Sequence, residues 1–219
     1  PSPLFVSTGN GAGLGKGLLW DLIAQVCDGK DQPSSTAWQG SERDFKDEIV
    51  STLIASPAMA RIDNVPSSAR LDSATLASLL TSYPYFDARG KGDRVQGSYE
   101  AQTVWCATGI GLRMSSELAT RALEITISTD DPTHDQRSFP DVIGMVRRDR
   151  AKYLHAAMTL LRAWHVAGRP LVECKSIRSN YRAWASIVQQ CVVWLSGLPG
   201  LEGQLADPVV RRVAGANDE

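Results

Sequence analysis

Ser7-Thr8-Gly9-Asn10-Gly11-Ala12-Gly13-Leu14-Gly15-Lys16-Gly17 is the stretch whose reading decides the fold. A short apolar run, Leu4-Phe5-Val6, leads into it, and Leu18-Leu19-Trp20-Asp21-Leu22-Ile23 leaves it with apolar residues at helical spacing. Strand, glycine-rich turn, lysine, helix is the order a chain needs to wrap a phosphate. The glycines let successive backbone N–H groups point inward, and the lysine adds a point charge. Gly11, Gly13, Gly15, Lys16, Gly17 and Leu18 are therefore the candidate phosphate-contacting residues. Two positions depart from the usual pattern: Asn10 stands where a glycine is expected, and Gly17 where a Ser or Thr would reach Mg²⁺.

Working outward, Lys16 to Cys27 reads as a helix, ended by the turn residues Asp28 to Ser35. Thr36-Ala37-Trp38 is a short strand, and Ser41 caps a second helix carrying Phe45, Ile49, Leu53 and Ile54 at regular spacing. Ala58-Met59-Ala60-Arg61-Ile62-Asp63-Asn64-Val65-Pro66 then reads as a strand ending in an acid. One helix and one strand separate it from the glycine-rich loop, so in a doubly wound sheet both motifs reach the carboxyl ends of their strands, where ligands bind. Asp63 is the candidate metal residue there, holding Mg²⁺ directly or through water. Asn64 stands where a glutamate would polarise an attacking water, and Arg61 is expected to snorkel or to lie on an edge strand.

Beyond this point Leu71 to Ser82 reads as a helix, and Tyr83 to Gly97 as two extended pieces around a basic, glycine-rich tip. Gln102 to Gly109 reads as a central strand, Glu117 to Thr120 as a short helix, and Leu123 to Ile127 as the last strand. From Asp130 the character changes to a polar linker and two long helical patterns, Pro140 to Ala167 and Ser179 to Leu195, separated by Gly168-Arg169-Pro170. Trp164, Trp184 and Trp194 belong to the core of that helical part. The expected organisation is an α/β nucleotide-binding core over residues 1–130 and an α-helical C-terminal subdomain over 131–219. Because the chain starts at the strand with no initiator Met, it is expected to be a piece of a longer protein.

Composition is that of a globular chain, and a net charge of −1 confines any nucleic-acid binding to local patches. The tip carrying Arg89, Lys91 and Arg94 is one such patch, able to track a nucleic-acid backbone without reading sequence. Arg147, Arg148, Arg150 and Lys152 form another, better read as paired or solvated. Cys27, Cys106, Cys174 and Cys191 lack metal spacing and lie beside apolar runs, which points to buried thiols in a reducing, cytoplasmic compartment. His134, His155 and His165 form no metal spacing either, and no apolar run is long enough to span a membrane.

Taken in order, these pieces resemble the C-terminal P-loop ATPase domain of phage- and plasmid-type primase–helicase replication proteins. That family is close to superfamily-three helicases and the wider AAA+ group. The resemblance rests on Gly13 to Leu19, Ile62-Asp63-Asn64-Val65, Leu71 to Ala74, Asp93 to Ser98, Ala107-Thr108-Gly109 and Glu117 to Arg121, and continues through Ala156 to Trp164, Gly168-Arg169-Pro170 and Ala183 to Val188. It implies an ATP-driven motor, a homo-oligomeric ring acting on single-stranded or forked DNA, with ATP and Mg²⁺ as cofactors. Lys16 would contact the β- and γ-phosphates, Asp63 would hold Mg²⁺, and Arg121 would reach a neighbour's nucleotide. The hairpin at Arg89 to Arg94 would project into the ring channel. The family's γ-phosphate sensor is missing, because Ile110 and Gly111 follow Ala107-Thr108-Gly109. With Asn10, Gly17 and Asn64, that departure motivates the alternative of a catalytically degenerate module with a structural or DNA-binding role.

Overall fold

The computed structural model describes residues 1–38, 40–90, 92, 94–131, 133, 140–177, 179–201 and 203–209. Its centre is a five-stranded, all-parallel sheet built from β1 (Leu4–Thr8), β2 (Ser34–Ala37), β3 (Met59–Val65), β7 (Val104–Gly109) and β9 (Ala122–Thr126), in the order β2-β3-β7-β1-β9. The connection from β1 to β2 runs one way across the sheet, through α1 (Lys16–Cys27). The next three run the other way, through α2 (Glu42–Ala55), α3 (Ala74–Leu79) and α4 (Ser116–Ala119). Right-handed crossovers then place α1 on one face and α2, α3 and α4 on the other.

Side-chain alternation agrees with that division. Leu4, Val6, Ala60, Ile62, Trp105 and Ala107 join Phe45, Ile49, Leu53, Leu76 and Leu118 in the larger core, under α2 to α4. The intervening residues Phe5, Met59, Cys106 and Ile125 meet Trp20 and Ile23 of α1 on the opposite face. In that second layer the Trp20 indole N–H donates to Ser7 Oγ at 2.8 Å.

Between β3 and β7 the chain forms β4 (Arg70–Leu71), which pairs in parallel with β8 (Arg113–Met114), and an antiparallel hairpin of β5 (Tyr85–Ala88) and β6 (Gly97–Glu100). The helix expected from Leu71 is thus shorter, because Arg70–Leu71 pairs as a strand and Ser73 accepts the cap hydrogen bond from Leu76 N–H. The two extended pieces expected around the basic tip are this hairpin, anchored to the main core by Phe86 and Ala88.

The C-terminal part is helical, as expected, but its first long helix is broken. α5 (Val142–Arg148) ends at Asp149, and α6 (Arg150–Val166) starts afresh. Both pack on α1. The break lets Arg150 donate to the carbonyl oxygens of Gln25 and Cys27, capping the C-terminus of α1 with a cation. Arg147 pairs with Asp31 just beyond that helix, so two members of the second basic cluster are engaged within the chain. α7 (Arg182–Trp184), a π-helical turn Ala185–Gln189 and α8 (Gln190–Ser196) follow. Trp164, Cys191 and Leu195 form a small core with Trp194 packed against it, while Trp184 meets Phe5 edge-on. Among the described residues no helix is long and apolar enough to cross a membrane. The cysteine reading needs correction: Cys106 and Cys191 are buried, but Cys27, the last residue of α1, is exposed, and Cys174 is half-buried.

Candidate functional site

The loop from Gly9 to Gly15 leaves the carboxyl end of β1 and delivers Lys16 as the first residue of α1. Gly15 takes φ 82° at the N-cap, a left-handed conformation that a side chain would strain, and no side chain caps the helix. The free N–H groups of the first turn therefore remain available to an anion. Gly9 is fixed for a different reason: a Cβ there would stand 2.0 Å from the Ile127 carbonyl oxygen. Asn10, the first departure from the usual pattern, clamps the loop. Its side-chain amide donates to Thr129 O at 2.8 Å, and its carbonyl oxygen accepts from Thr129 N–H at 3.3 Å.

A cavity of about 440 Å³ opens over this loop. Gly13, Gly15, Lys16 and Gly17 line it from the loop and α1, Asp63 and Asn64 from β3, and Thr108 and Ile110 from the end of β7. The chain thus brings the lysine and the acid of the sequence reading to one place. Gly11 contributes as the carbonyl acceptor of Lys16 Nζ at 2.5 Å, while Leu18 lies outside the lining. Lys16 is only 9% exposed, and burial pushes its pKa below the ordinary 10.5.

Asp63 owes its position to a bulge. The β3–β7 register shifts between Ile62 and Val65, and Asn64 takes φ 51°, which asparagine tolerates better than most residues. Thr108 holds the bulge from the neighbouring strand. Its hydroxyl donates to Asp63 Oδ1 at 2.7 Å and accepts from Asn64 N–H at 3.0 Å. Thr108→Val keeps the shape and removes both bonds. Thermal denaturation of this variant is expected to show a loss of about 2 kcal/mol, a fall in Tm of roughly 4–8 °C.

Arg61 overturns its expectation. β3 is an interior strand, and Arg61 is 6% exposed, so it neither snorkels nor lies on an edge. Its guanidinium is held in the layer under α1 by Asp21 Oδ1 at 2.6 Å, Gly17 O at 3.2 Å and Asp63 Oδ2 at 3.4 Å. A buried cation is tolerated there because those acceptors engage both Nη groups, although Nε is buried with no hydrogen-bond partner among the described residues.

The remaining candidates lie elsewhere. Arg121 precedes β9, at the amino-terminal edge of the sheet, opposite the cavity; its guanidinium pairs with Glu117 at 3.0 Å, and its side chain is 13% exposed. Arg89 and Arg94 are exposed beside the β5–β6 hairpin, and Lys91 lies outside the described residues. Sequence reasoning missed Thr108 and Asp21 as members of the site. A threonine one residue before the glycine that ends a central strand was the visible signal for the first. Asp21 had none, since it reads as a polar position on an amphipathic helix.

No protein-family model matches the chain, and no curated protein matches it.

Proposed function

We propose that the loop from Gly9 to Gly17 is a P-loop and that the chain is the ATP-binding domain of a replication ATPase of the primase–helicase, superfamily-three or AAA+ type. The carrying observation is the convergence of Lys16 and Asp63 on one cavity, at the uncapped N-terminus of α1 and the carboxyl ends of β1, β3 and β7. An α/β sheet offers ligands that edge, and a helix N-terminus with a largely buried lysine beside it selects phosphate. The sheet order supports the same reading: β7 separates the loop strand from the acidic strand, so Asp63 faces the loop across one strand's width.

ATP bound here would lie against Gly13 to Gly17, with Lys16 leaving Gly11 O for the β- and γ-phosphates. Ile110 lines the cavity where the family has its γ-phosphate sensor. Arg121 cannot serve its own cavity from the far edge of the sheet, and a role toward a neighbouring subunit of a homo-oligomeric ring requires it to leave Glu117. Arg89, Lys91 and Arg94 supply backbone contacts to single-stranded or forked DNA in this reading. The Mg²⁺ expected at Asp63 is a separate matter, because Arg61 already faces that carboxylate.

A second reading, a domain that binds nucleotide without turning it over, is favoured by Gly17, Asn64 and Ile110, none of which can do the chemistry its position calls for. Phosphate release from ATP, measured with and without single-stranded DNA, separates the two. DNA-stimulated turnover supports the motor; ATP binding without turnover supports the degenerate module; absence of any ATP-dependent thermal shift overturns both.

A further inference from the structure

We propose that Arg61 is a built-in cation that replaces the divalent metal at this site, so that the chain binds a nucleotide's phosphates without magnesium. The inference rests on the phosphate-loop reading above and concerns how that site balances charge.

Two features converge on it. First, a magnesium ion at a phosphate loop is ordinarily held by the hydroxyl after the lysine and by a carboxylate, directly or through water. Gly17 offers no hydroxyl. Space does not forbid one: a Cβ at Gly17 would meet only Arg61 Nη1, at an ordinary 3.7 Å. The guanidinium therefore already stands beside the place a metal-binding hydroxyl would occupy. Second, both oxygens of Asp63 are engaged, Oδ1 by the Thr108 hydroxyl and Oδ2 by Arg61 Nη2. A metal ion on Asp63 would have to displace Arg61 and face its charge at short range.

The charges around the cavity are consistent with this assignment. Lys16 and Arg61 balance Asp21 and Asp63; without Arg61 the other three would carry one net negative charge and repel a phosphate. Arg61 does not line the cavity, whereas Asp63 does. It is therefore a positioning residue, acting by fixing and neutralising Asp63 rather than by touching the ligand.

Calorimetric titration of the chain with ATP, in excess EDTA and in excess Mg²⁺, tests this. The wild type is expected to give affinities within about threefold of each other. Arg61→Leu is expected to lose at least about tenfold in EDTA and to recover with Mg²⁺, a metal dependence that a purely structural role would not create. Adding Asp63→Asn to Arg61→Leu is expected to restore binding in EDTA. Arg61→Lys, which keeps a cation in place, is expected to stay metal-independent and covers the case in which Arg61→Leu does not fold. Wild-type binding that requires Mg²⁺ overturns the proposal and leaves the phosphate loop standing. Arg61→Leu binding like the wild type in EDTA overturns it as well. Binding in neither buffer overturns the phosphate-loop reading and this inference with it.

Discussion

Lys16→Ala is expected to lower ATP affinity by at least about 100-fold, roughly 2.7 kcal/mol, while leaving the chain folded. The size follows from the geometry. The ammonium is nearly buried at the cavity floor and donates to one loop carbonyl, Gly11 O, so its charge is poorly compensated until a phosphate arrives. Little else in the fold depends on it. Equilibrium titration of wild type and variant by ligand-induced thermal shift or calorimetry measures the loss. The lysine also fixes a pH dependence. Its folded pKa is lowered from 10.5 by burial, so the unfolded chain binds more protons between the two values, and the unliganded protein gains stability as pH rises through that window. A bound phosphate favours the charged form and reverses the shift. ATP affinity is therefore expected to fall as pH rises through the free-state pKa, and Lys16→Ala to lack that alkaline limb.

Trp105→Ala has the largest expected effect on stability, about 3–5 kcal/mol, out of the 5–15 kcal/mol typical of a domain. Trp105 is 2% exposed on β7, an interior strand, and its ring lies in the core shared by β1, β3, α2 and α3. Its indole N–H is buried with no hydrogen-bond partner among the described residues, so removing it relieves a small penalty and places the loss toward the lower end of that range. Urea unfolding should show a lower midpoint at unchanged slope.

How much of this was legible in the sequence depended on the range of the interactions. The loop, its lysine and helix α1 were readable because strand, glycines and helical periodicity are local signals, and α1 runs from Lys16 to Cys27 as expected. The cap at Ser41 was readable for the same reason: its hydroxyl accepts from Asp44 N–H. Asp63 was placed by spacing and by the general preference of α/β sheets for ligands at one edge. Arg61 was not readable. Its neighbours in sequence are apolar, and the residue that makes its burial tolerable, Asp21, lies on another element in the layer above. The break at Asp149 escaped for a related reason, since the capping of α1 by Arg150 is a contact between distant segments. Asn10 looked like a defect of the loop until its pairing with Thr129, on the far side of β9, gave it a structural role.

The glycine-rich loop therefore combines a geometry suited to anions with an altered provision for charge. Lys16 and the helix N-terminus supply the attraction, Thr108 and the bulge at Asn64 set the acid, and Arg61 occupies the acid's second oxygen. Whether the cavity takes a nucleotide is the claim on which the rest depends. Backbone amide chemical shifts of the isotopically labelled chain, followed during titration with ATP, test it most directly. Saturable shifts concentrated at Gly11 to Leu18, at Asp63 and Asn64, and at Thr108 to Ile110 are expected if the cavity binds nucleotide; an unchanged spectrum, or shifts confined to other surfaces, would contradict that binding.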